Sequence, residues 1–191
     1  MQAAEPADEE LMMRYVRGDD AAFELLYRRH RGALYRYFLR TCANRALAEE
    51  LYQDVWTRII GARGNYRPTA RFTTWMYTLA HNRMIDHHRR RGTHPDLDDP
   101  EGDSVLAVLP APAADQPDTQ VASARAVARI REAVDGLPQA QREAFLLRAE
   151  GDMAIDDIAA VTGVNRETAK SRLRYALAKL RAALGGAGDE P

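Results

Sequence analysis

A proline-rich acidic segment near the middle of the sequence prevents this chain from folding as one continuous unit. The stretch "GTHPDLDDPEGDSVLAVLPAPAADQPDTQ", which begins at Gly92, holds five prolines and seven acidic residues, with no lysine or arginine. Proline removes a backbone donor and breaks helices and central strands, so no periodic element can run through the stretch. The sequence therefore predicts two domains joined by a flexible acidic linker over residues 93–122.

The sequences on either side of the linker have the pattern of helices. Apolar residues recur at spacings of three and four and no stretch alternates with a period of two, so we expect an all-α protein without a sheet. The content of 46% apolar and 29% charged residues is typical of globular domains. The predicted divisions are an acidic N-terminal tail over residues 1–10, an N-terminal domain over 11–92, the linker, a C-terminal domain over 123–185 and a tail over 186–191.

Three helices are predicted in the N-terminal domain. Asp20 is expected to cap the first helix, and the second is expected to begin at about Ala46. The third is expected to run from about Arg71 to Arg91. The predicted buried stripes are Phe23, Leu26, Tyr27, Leu34 and Phe38 on the first helix, Leu47, Leu51, Val55 and Ile59 on the second, and Phe72, Met76, Ala80 and Met84 on the third.

The formal net charge of −1 conceals a strong segregation of charge. Residues 11–92 hold sixteen basic and seven acidic side chains, and residues 166–181 hold six basic side chains and one acid. Two basic modules on either side of an acidic linker predict binding to a polyanion. No apolar run reaches the roughly 18 residues of a membrane span, and the acidic start lacks the features of a signal peptide, so we expect a cytoplasmic protein.

One face of the second helix is polar and partly acidic within this basic domain. Glu50, Gln53, Asp54 and Thr57 follow the spacing i, i+3, i+4 and i+7. Such a stripe is either a solvated face or a docking surface for a basic protein, and the pattern alone leaves both interpretations open.

The third helix and the loop before it combine basic, polar and aromatic side chains. Cations follow the phosphates of single-stranded nucleic acid while aromatic faces stack its unpaired bases, so this combination predicts such a site. Tyr77 is expected in the core, whereas Trp75 lies on the polar face and is expected to be exposed. The predicted surface consists of Asn65, Tyr66 and Arg67 in the loop and Arg71, Trp75, Thr78, Asn82, Asp86 and Arg89 on the helix.

The C-terminal domain has the spacing of a helix-turn-helix. Ala159 is small enough for two helices to cross closely, Gly163 permits a positive dihedral angle in the turn, and Asn165 can cap the next helix. This next helix is the predicted recognition helix. Its exposed side chains are expected to be Arg166, Glu167, Lys170, Ser171 and Arg174, and its buried ones Leu173, Leu177 and Leu180.

The order of these segments resembles that of the bacterial RNA polymerase sigma factors of the extracytoplasmic-function group, within the sigma-70 family. The segments are "AEELYQDVWTRII", "RFTTWMYTLAHNRMIDHHRRR", the acidic linker, "LPQAQREAFLL" and "IDDIAAVTGVNRETAKSRLRYALAKLR". The resemblance covers nearly the whole chain outside the first ten residues and the linker. At position 175 the chain has tyrosine where the family commonly has arginine.

The resemblance implies a protein that binds core RNA polymerase, directs it to promoters by reading their −10 and −35 elements, and promotes melting. It implies contacts with the clamp helices and the flap of the polymerase, with duplex and single-stranded promoter DNA, and with an anti-sigma factor. The implied polymerase contacts are Glu50, Gln53, Asp54, Trp56 and Thr57. The implied −10 contacts are Asn65, Tyr66, Arg67, Arg71, Trp75, Thr78, Asn82, Arg83, Asp86, Arg89 and Arg90. The implied −35 contacts are Arg166, Glu167, Thr168, Lys170, Ser171, Arg172, Arg174 and Tyr175.

Two other classes of function compete with this interpretation. A stand-alone helix-turn-helix regulator would use the C-terminal domain, but it would leave the N-terminal domain without a role. A metal enzyme is suggested by His81, Asp86, His87, His88 and His94, but the histidines lack the i, i+4 spacing of a helical zinc pair and are expected on the helix surface. No nucleotide-binding loop or activated nucleophile appears, and the single cysteine has no partner. We therefore expect no enzymatic activity, no cofactor and no metal.

Overall fold

Helices joined by short loops make up the part of the protein that the structure describes. The computed structural model describes residues 5–42, 44–90 and 119–185, and within these ranges there is no strand. This confirms the predicted all-α class. The helices are α1 (Asp8–Val16), α2 (Asp20–Thr41), α3 (Arg45–Gly61), a short 3₁₀ turn (Ala62–Gly64), α4 (Phe72–Arg90), α5 (Thr119–Asp135), α6 (Gln139–Gly151), α7 (Ile155–Thr162) and α8 (Arg166–Gly185).

Side-chain caps fix where the N-terminal helices begin. Asp19, one residue before the predicted cap, accepts a hydrogen bond from the backbone N–H of Ala22 at 3.2 Å and so begins α2. Asn44 accepts from the backbone N–H of Leu47 at 2.8 Å and begins α3. The predicted starts of these two helices were therefore correct to within a residue.

The predicted apolar stripes form the core of the N-terminal domain. Only Phe23, Tyr27 and Leu47 of the predicted set are partly rather than fully buried. The buried members are Leu26, Leu34, Phe38, Leu51, Val55, Ile59, Phe72, Met76, Ala80 and Met84, and Tyr77 is buried with them as expected.

The acidic residues near the start of the chain belong to the fold rather than to a tail. Asp8 accepts a hydrogen bond from Arg29 at 2.8 Å and contacts His30 Nε2 at 2.7 Å. Glu9 accepts from the backbone N–H of Phe72 at 2.6 Å, which satisfies a free donor at the first turn of α4. The prediction of a tail over residues 1–10 is thus wrong from Asp8 onward, because these carboxylates hold α1 against α2 and α4.

The C-terminal domain consists of the four helices α5 to α8. Leu147, Met153, Ile158, Leu173 and Leu180 contribute to its core. Helix α5 begins at Thr119, inside the predicted linker, and the remainder of the predicted linker lies outside the described residues, as do residues 186–191.

The two domains pack against each other, which the sequence did not predict. Helix α6 lies against α2, and α7 lies against α4. The rim of the contact carries two ion pairs, from Arg36 to Glu150 at 2.7 Å and from Arg40 to Asp135 at 3.1 Å. At Gly151 the helices approach so closely that an added Cβ would lie 3.0 Å from a ring carbon of Tyr77.

A buried carboxylate lies at the centre of this contact. Glu143 of α6 is only 2% exposed. Its Oε1 accepts a hydrogen bond from the hydroxyl of Tyr37 on α2 at 2.8 Å and lies 2.7 Å from Nδ1 of His81 on α4. These three residues are hereafter the Glu143 cluster. The prediction that His81 lies on the helix surface is wrong, because the C-terminal domain covers it.

Contact with Glu143 changes the ionisation of its partners. Burial lowers the pKa of His81, but the hydrogen bond and the charge of Glu143 outweigh burial, and the net pKa is raised above its usual value. The charge of Arg172 on α8 opposes this increase. Burial, together with the negative charge of Glu143, raises the pKa of Tyr37 well above its usual value, so Tyr37 remains a hydrogen-bond donor.

Raising the pH is expected to loosen the contact between the domains. Because the pKa of His81 is raised by the packing, the stabilisation from its protonated form is complete below about pH 6.5 and is lost as the pH rises through the raised pKa. Small-angle X-ray scattering of the full chain from about pH 6 to about pH 9 should show an increasing radius of gyration. The variant His81→Gln, which keeps a donor but does not titrate there, should show no such dependence. A pH-independent radius of gyration for the unaltered chain would contradict this assignment.

Candidate nucleic-acid and protein interfaces

The polar face of α3 is open to solvent. Glu50, Gln53 and Thr57 are exposed, and the hydroxyl of Thr57 donates to the carbonyl of Gln53 at 2.9 Å. Ile60 continues the same face by one turn and is 47% exposed. Single exposed apolar side chains are common on protein surfaces, so Ile60 is compatible with a protein contact but does not by itself identify one. Sequence reasoning missed Ile60, although its spacing from Gln53 and Thr57 would have identified it.

The fourth predicted member of this face has a structural partner. Asp54 is ion-paired with Arg83 of α4, a residue that is only 8% exposed. Asp86 lies 3.9 Å from the same guanidinium. Arg83 was expected to contact DNA. Its burial disagrees with that expectation, because the guanidinium joins α4 to α3 instead of facing outward.

Trp56, another implied polymerase contact, lies in the core. It is 5% exposed, and its ring meets that of Tyr27 at a centroid distance of 4.8 Å and that of Phe23 at 6.0 Å. Such edge-to-face contacts stabilise the packing of α3 on α2. Burial disagrees with a direct polymerase contact by Trp56, so we interpret it as support for the exposed side chains of α3.

The loop before α4 divides into exposed and buried residues. Asn65 and Arg67 are exposed, as predicted for a ligand-binding loop. Tyr66, by contrast, is only 3% exposed, and burial raises the pKa of its hydroxyl to about 12. Its ring lies 5.0 Å from that of Trp75, which also contacts Phe72 and is partly buried rather than exposed. The expected exposure of Tyr66 and Trp75 therefore differs from the structure, because the two rings pack on each other.

The outer face of α4 is exposed at both ends, at Arg71 and at Arg89, and partly buried at Trp75 and Thr78. Asn82, Arg89 and Arg90 are exposed, while Thr78 and Asp86 are partly buried. Helix α7 packs against the start of α4 beside this face, at the buried Thr74.

Two residues of the C-terminal domain hold the start of α4. The hydroxyl of Thr74 donates to Asp157 at 2.9 Å, and the guanidinium of Arg71 lies 3.8 Å from the same carboxylate. Arg71 also donates to the carbonyl of Asp152 at 3.3 Å. No sequence spacing indicated these contacts, because they join residues more than eighty positions apart.

The helix-turn-helix has the predicted geometry. Gly163 adopts a φ of +67°, in the left-handed region that favours glycine, and the N–H of Val164 donates to the carbonyl of Ala159 at 3.2 Å. Asn165 accepts a hydrogen bond from the backbone N–H of Thr168 at 2.8 Å and caps α8.

The first turns of α8 present a charged, open surface. Arg166, Glu167, Lys170 and Arg174 are exposed, and so is Tyr175. Arg166 pairs with Asp156 of α7 at 2.8 Å, and the guanidinium of Arg174 lies 5.0 Å from the ring centroid of Tyr175. The partly buried members of the predicted set are Thr168, Ser171 and Arg172, and the opposite face buries Ala169, Leu173, Ala176 and Leu180, with Leu177 partly buried.

Among the described residues, no three His, Cys, Asp or Glu side chains come together in a way that could hold a metal ion. His94, named in the metal hypothesis, lies outside those residues. In the part of the chain that the structure describes, no helix is long and apolar enough to cross a membrane.

Both domains match models of known protein families. Residues 26–93 match sigma-70 region 2, and residues 128–180 match sigma-70, region 4. The first match contains α3, the loop and α4, and the second contains the helix-turn-helix.

Similar proteins align over most of the chain. RNA polymerase sigma factor CarQ of Myxococcus xanthus is 32% identical over 174 residues, which cover 91% of this chain and 95% of CarQ. The ECF RNA polymerase sigma factor SigM of Mycobacterium tuberculosis is 32% identical over 185 residues, which cover 95% of this chain and 86% of SigM.

Solved structures show the same fold. CnrH, in complex with the cytosolic domain of CnrY, superposes with a TM-score of 0.65 at 22% identity, covering 96% of this chain and 100% of CnrH. The sigma factor RpoE, in complex with the anti-sigma factor NepR from Bartonella quintana, gives a TM-score of 0.64 at 24% identity, covering 85% of this chain and 96% of RpoE.

Removing the cap of α8 is expected to destabilise the helix-turn-helix. Asn165→Ala deletes the acceptor for the Thr168 N–H and should lower the free energy of unfolding by about 1 kcal/mol. Asn165→Asp keeps an acceptor and should remain close to the unaltered chain. Urea unfolding followed by circular dichroism measures both values. Equal stabilities for Asn165→Ala and Asn165→Asp would show that the cap contributes nothing.

Proposed function

The chain belongs to the extracytoplasmic-function group of sigma-70 family RNA polymerase sigma factors, and on that premise we propose which of its surfaces carries each step of promoter-directed initiation. As a sigma factor it binds RNA polymerase and directs it to promoters. The observation that carries this conclusion is the presence, in one chain, of matches to sigma-70 region 2 and region 4 in order. A stand-alone regulator is not favoured, since it gives the region 2 domain no role.

The exposed face of α3 is the proposed polymerase contact. Glu50, Gln53, Thr57 and Ile60 combine a negative charge, polar groups and an apolar side chain on one accessible surface. Asp54 contributes by fixing α3 against α4 through Arg83. The proposed partner surface is the pair of clamp helices of the polymerase.

The loop and the outer face of α4 are the proposed −10 interface. Asn65, Arg67, Asn82, Arg89 and Arg90 are accessible, and they provide cations and amides for phosphates and unpaired bases. The buried ring of Tyr66 and the partly buried ring of Trp75 support the shape of this surface.

Melting must be shared with the polymerase. Separating three or four base-pair steps, at about 1.4 kcal/mol each, costs about 4 to 6 kcal/mol. One base stacked on an aromatic side chain returns only about 1 to 3 kcal/mol. Polymerase contacts therefore supply the remaining free energy.

The start of α8 is the proposed reader of the −35 element in the major groove. Arg166, Lys170 and Arg174 can reach phosphates and base edges, and Tyr175 adds an exposed aromatic ring beside Arg174. The same domain is proposed to contact the polymerase flap. We further infer that the protein acts in the cytoplasm and catalyses no reaction itself. We also infer that it binds an anti-sigma factor, since RpoE of Bartonella quintana, which has this fold, is in complex with the anti-sigma factor NepR.

Reversing one charge on α3 should weaken polymerase binding. Glu50→Arg places like charge against a basic partner and should raise the Kd for core RNA polymerase by at least about tenfold. Asp54 is a less suitable position for this charge reversal, because an arginine there would face the buried Arg83 and destabilise the domain. Titration of fluorescently labelled chain with sigma-free polymerase gives the Kd.

The control is Glu24→Arg, which makes the same charge change on an exposed site of α2. It should bind the polymerase like the unaltered chain. If Glu50→Arg binds equally well, the assignment of the α3 face is wrong.

Removing one positively charged side chain from the start of α8 should weaken promoter use without affecting polymerase binding. Lys170→Ala should lower promoter affinity of the polymerase complex by at least about fivefold. Lys179→Ala removes the same charge from an exposed site nearer the C-terminus of the helix and should have little effect. Promoter-binding titrations at fixed salt compare the two variants, and equal effects would argue against insertion of the first turns into the groove.

A further inference from the structure

Helix α1 lies outside the residues that match sigma-70 region 2, yet it contacts both elements that flank the loop of the proposed −10 interface. The match covers residues 26–93, whereas α1 ends at Val16. The loop over residues 65–71, hereafter the −10 loop, connects the 3₁₀ turn to α4, and both of these elements pack on α1. The helix is therefore placed to set the conformation of a loop that is proposed to bind single-stranded DNA.

Glu9 of α1 fixes the end of the −10 loop. Its carboxylate accepts a hydrogen bond of 2.6 Å from the backbone N–H of Phe72, the first residue of α4. That N–H has no partner within the helix, and Arg71, which precedes it, has no side-chain acceptor that could serve as a cap. The helix dipole also favours a carboxylate at this end of a helix. The point at which the loop ends and α4 begins thus depends on a side chain from another helix.

Tyr15 of α1 holds the turn from which the −10 loop starts. The guanidinium of Arg63, in the 3₁₀ turn, lies 4.6 Å from the ring centroid of Tyr15, which is 6% exposed. A cation over the face of a tyrosine ring is attracted by the ring quadrupole. The turn continues into the loop, because the N–H groups of Asn65 and Tyr66 both donate to the carbonyl of Ala62, at 2.9 and 3.0 Å. Helix α1 therefore anchors the loop at both ends.

Tyr66 anchors the loop between these two points. It is 3% exposed, and burial, followed by the negative charges of Glu9 and Asp8, raises the pKa of its hydroxyl to about 12. The side chain therefore lies near the carboxylates at the start of α1. Asn65 and Arg67, its neighbours in sequence, are exposed. A shift of α1 would displace the buried ring and, with it, the two exposed side chains.

We propose that α1 is a positioning element for the −10 loop and that Glu9, through its hydrogen bond to Phe72, determines how strongly the loop discriminates among unpaired bases. This inference rests on the proposed role of the loop and α4 in reading the −10 element. Glu9 acts through the loop rather than by contacting DNA, because its carboxylate is engaged by Phe72 and would repel phosphates.

Loss of the Glu9 contact should affect base preference more than overall affinity. A specific contact requires side chains held within about 0.5 Å of the productive geometry. Phosphate contacts supply much of the affinity but carry no sequence information. A loosened loop should therefore still bind single-stranded DNA while distinguishing its bases less well.

The test measures base preference with the full chain bound to core RNA polymerase. The complex is mixed with single-stranded oligonucleotides that contain about ten randomised nucleotides, and the bound fraction is sequenced, with core polymerase alone as the background. Glu9→Ala removes the acceptor for the Phe72 N–H and should lower the enrichment of the preferred base at the best-defined position by about fivefold. The Kd for sigma-free polymerase should stay unchanged, because the exposed face of α3 is not altered.

Two control variants separate the position of the loop from the charge of α1. Glu9→Gln keeps an oxygen acceptor of the same reach and should retain the base preference. Glu10→Ala removes the same charge from the neighbouring, exposed position of α1 and should also leave the preference unchanged.

Tyr15 provides an independent pair of variants if Glu9→Ala loses helix content by circular dichroism. Tyr15→Leu removes the ring that faces Arg63 and should weaken the base preference, whereas Tyr15→Phe keeps the ring and should retain it. Because Tyr15 is buried, neither variant removes a side chain that could contact DNA.

The outcomes separate this inference from the proposed function. A weakened base preference with unchanged polymerase binding in Glu9→Ala, retained in Glu9→Gln, supports the positioning role. An unchanged preference in a folded Glu9→Ala chain, or in Tyr15→Leu, overturns it. An equal loss in Glu9→Gln or Glu10→Ala, or a parallel loss of polymerase binding, also overturns it. Failure of the proposed −10 role differs from all of these, because the unaltered chain would then enrich no sequence above core polymerase alone.

Discussion

The arrangement of the two domains depends on one buried carboxylate. A charge that is removed from water is costly unless it is paired, and Glu143 is paired on both sides, by a tyrosine hydroxyl and by a histidine. Each partner comes from a different helix of the N-terminal domain, so the carboxylate fixes α6 against α2 and α4 at once. Asp152 and Asp157 lie over the start of α4 in the same contact between the domains.

A second ion pair, between a buried arginine and a partly exposed aspartate, joins the surfaces of the N-terminal domain. Arg83 and Asp54 connect α4, which carries the proposed −10 interface, to α3, which carries the proposed polymerase interface. Because both helices also share the core of Val55, Ile59, Met76 and Ala80, they form one rigid support. Polymerase and DNA can therefore be held at a fixed separation by side chains that touch neither partner. In the C-terminal domain, the Gly163 turn and the Asn165 cap likewise fix the position of α8, which carries the proposed −35 interface, relative to α7.

Local patterns predicted most of the fold and less of the interfaces. Spacings of three and four identified α2, α3 and α4, and the Ala159–Gly163–Asn165 spacing identified the helix-turn-helix, because caps, turns and stripes depend on neighbouring residues. The same patterns could not distinguish an outward side chain from one that a distant helix covers. Tyr66, Arg83 and His81 were therefore expected at the surface, although Trp75, Asp54 and Glu143 bury them. The packing of one domain on the other follows from contacts between residues far apart in sequence, for which spacing carries no signal.

Transcript-start mapping tests most directly whether this chain selects promoters through two separate DNA contacts. The purified full chain is added to sigma-free core RNA polymerase on fragmented bacterial genomic DNA, and the 5′ ends of the transcripts are compared with and without it. We predict starts that depend on the chain and that share two upstream motifs at a constant separation, one for α8 and one for the loop and α4. The absence of both polymerase binding and new starts would contradict the account, and it would leave the region 2 domain without its proposed role.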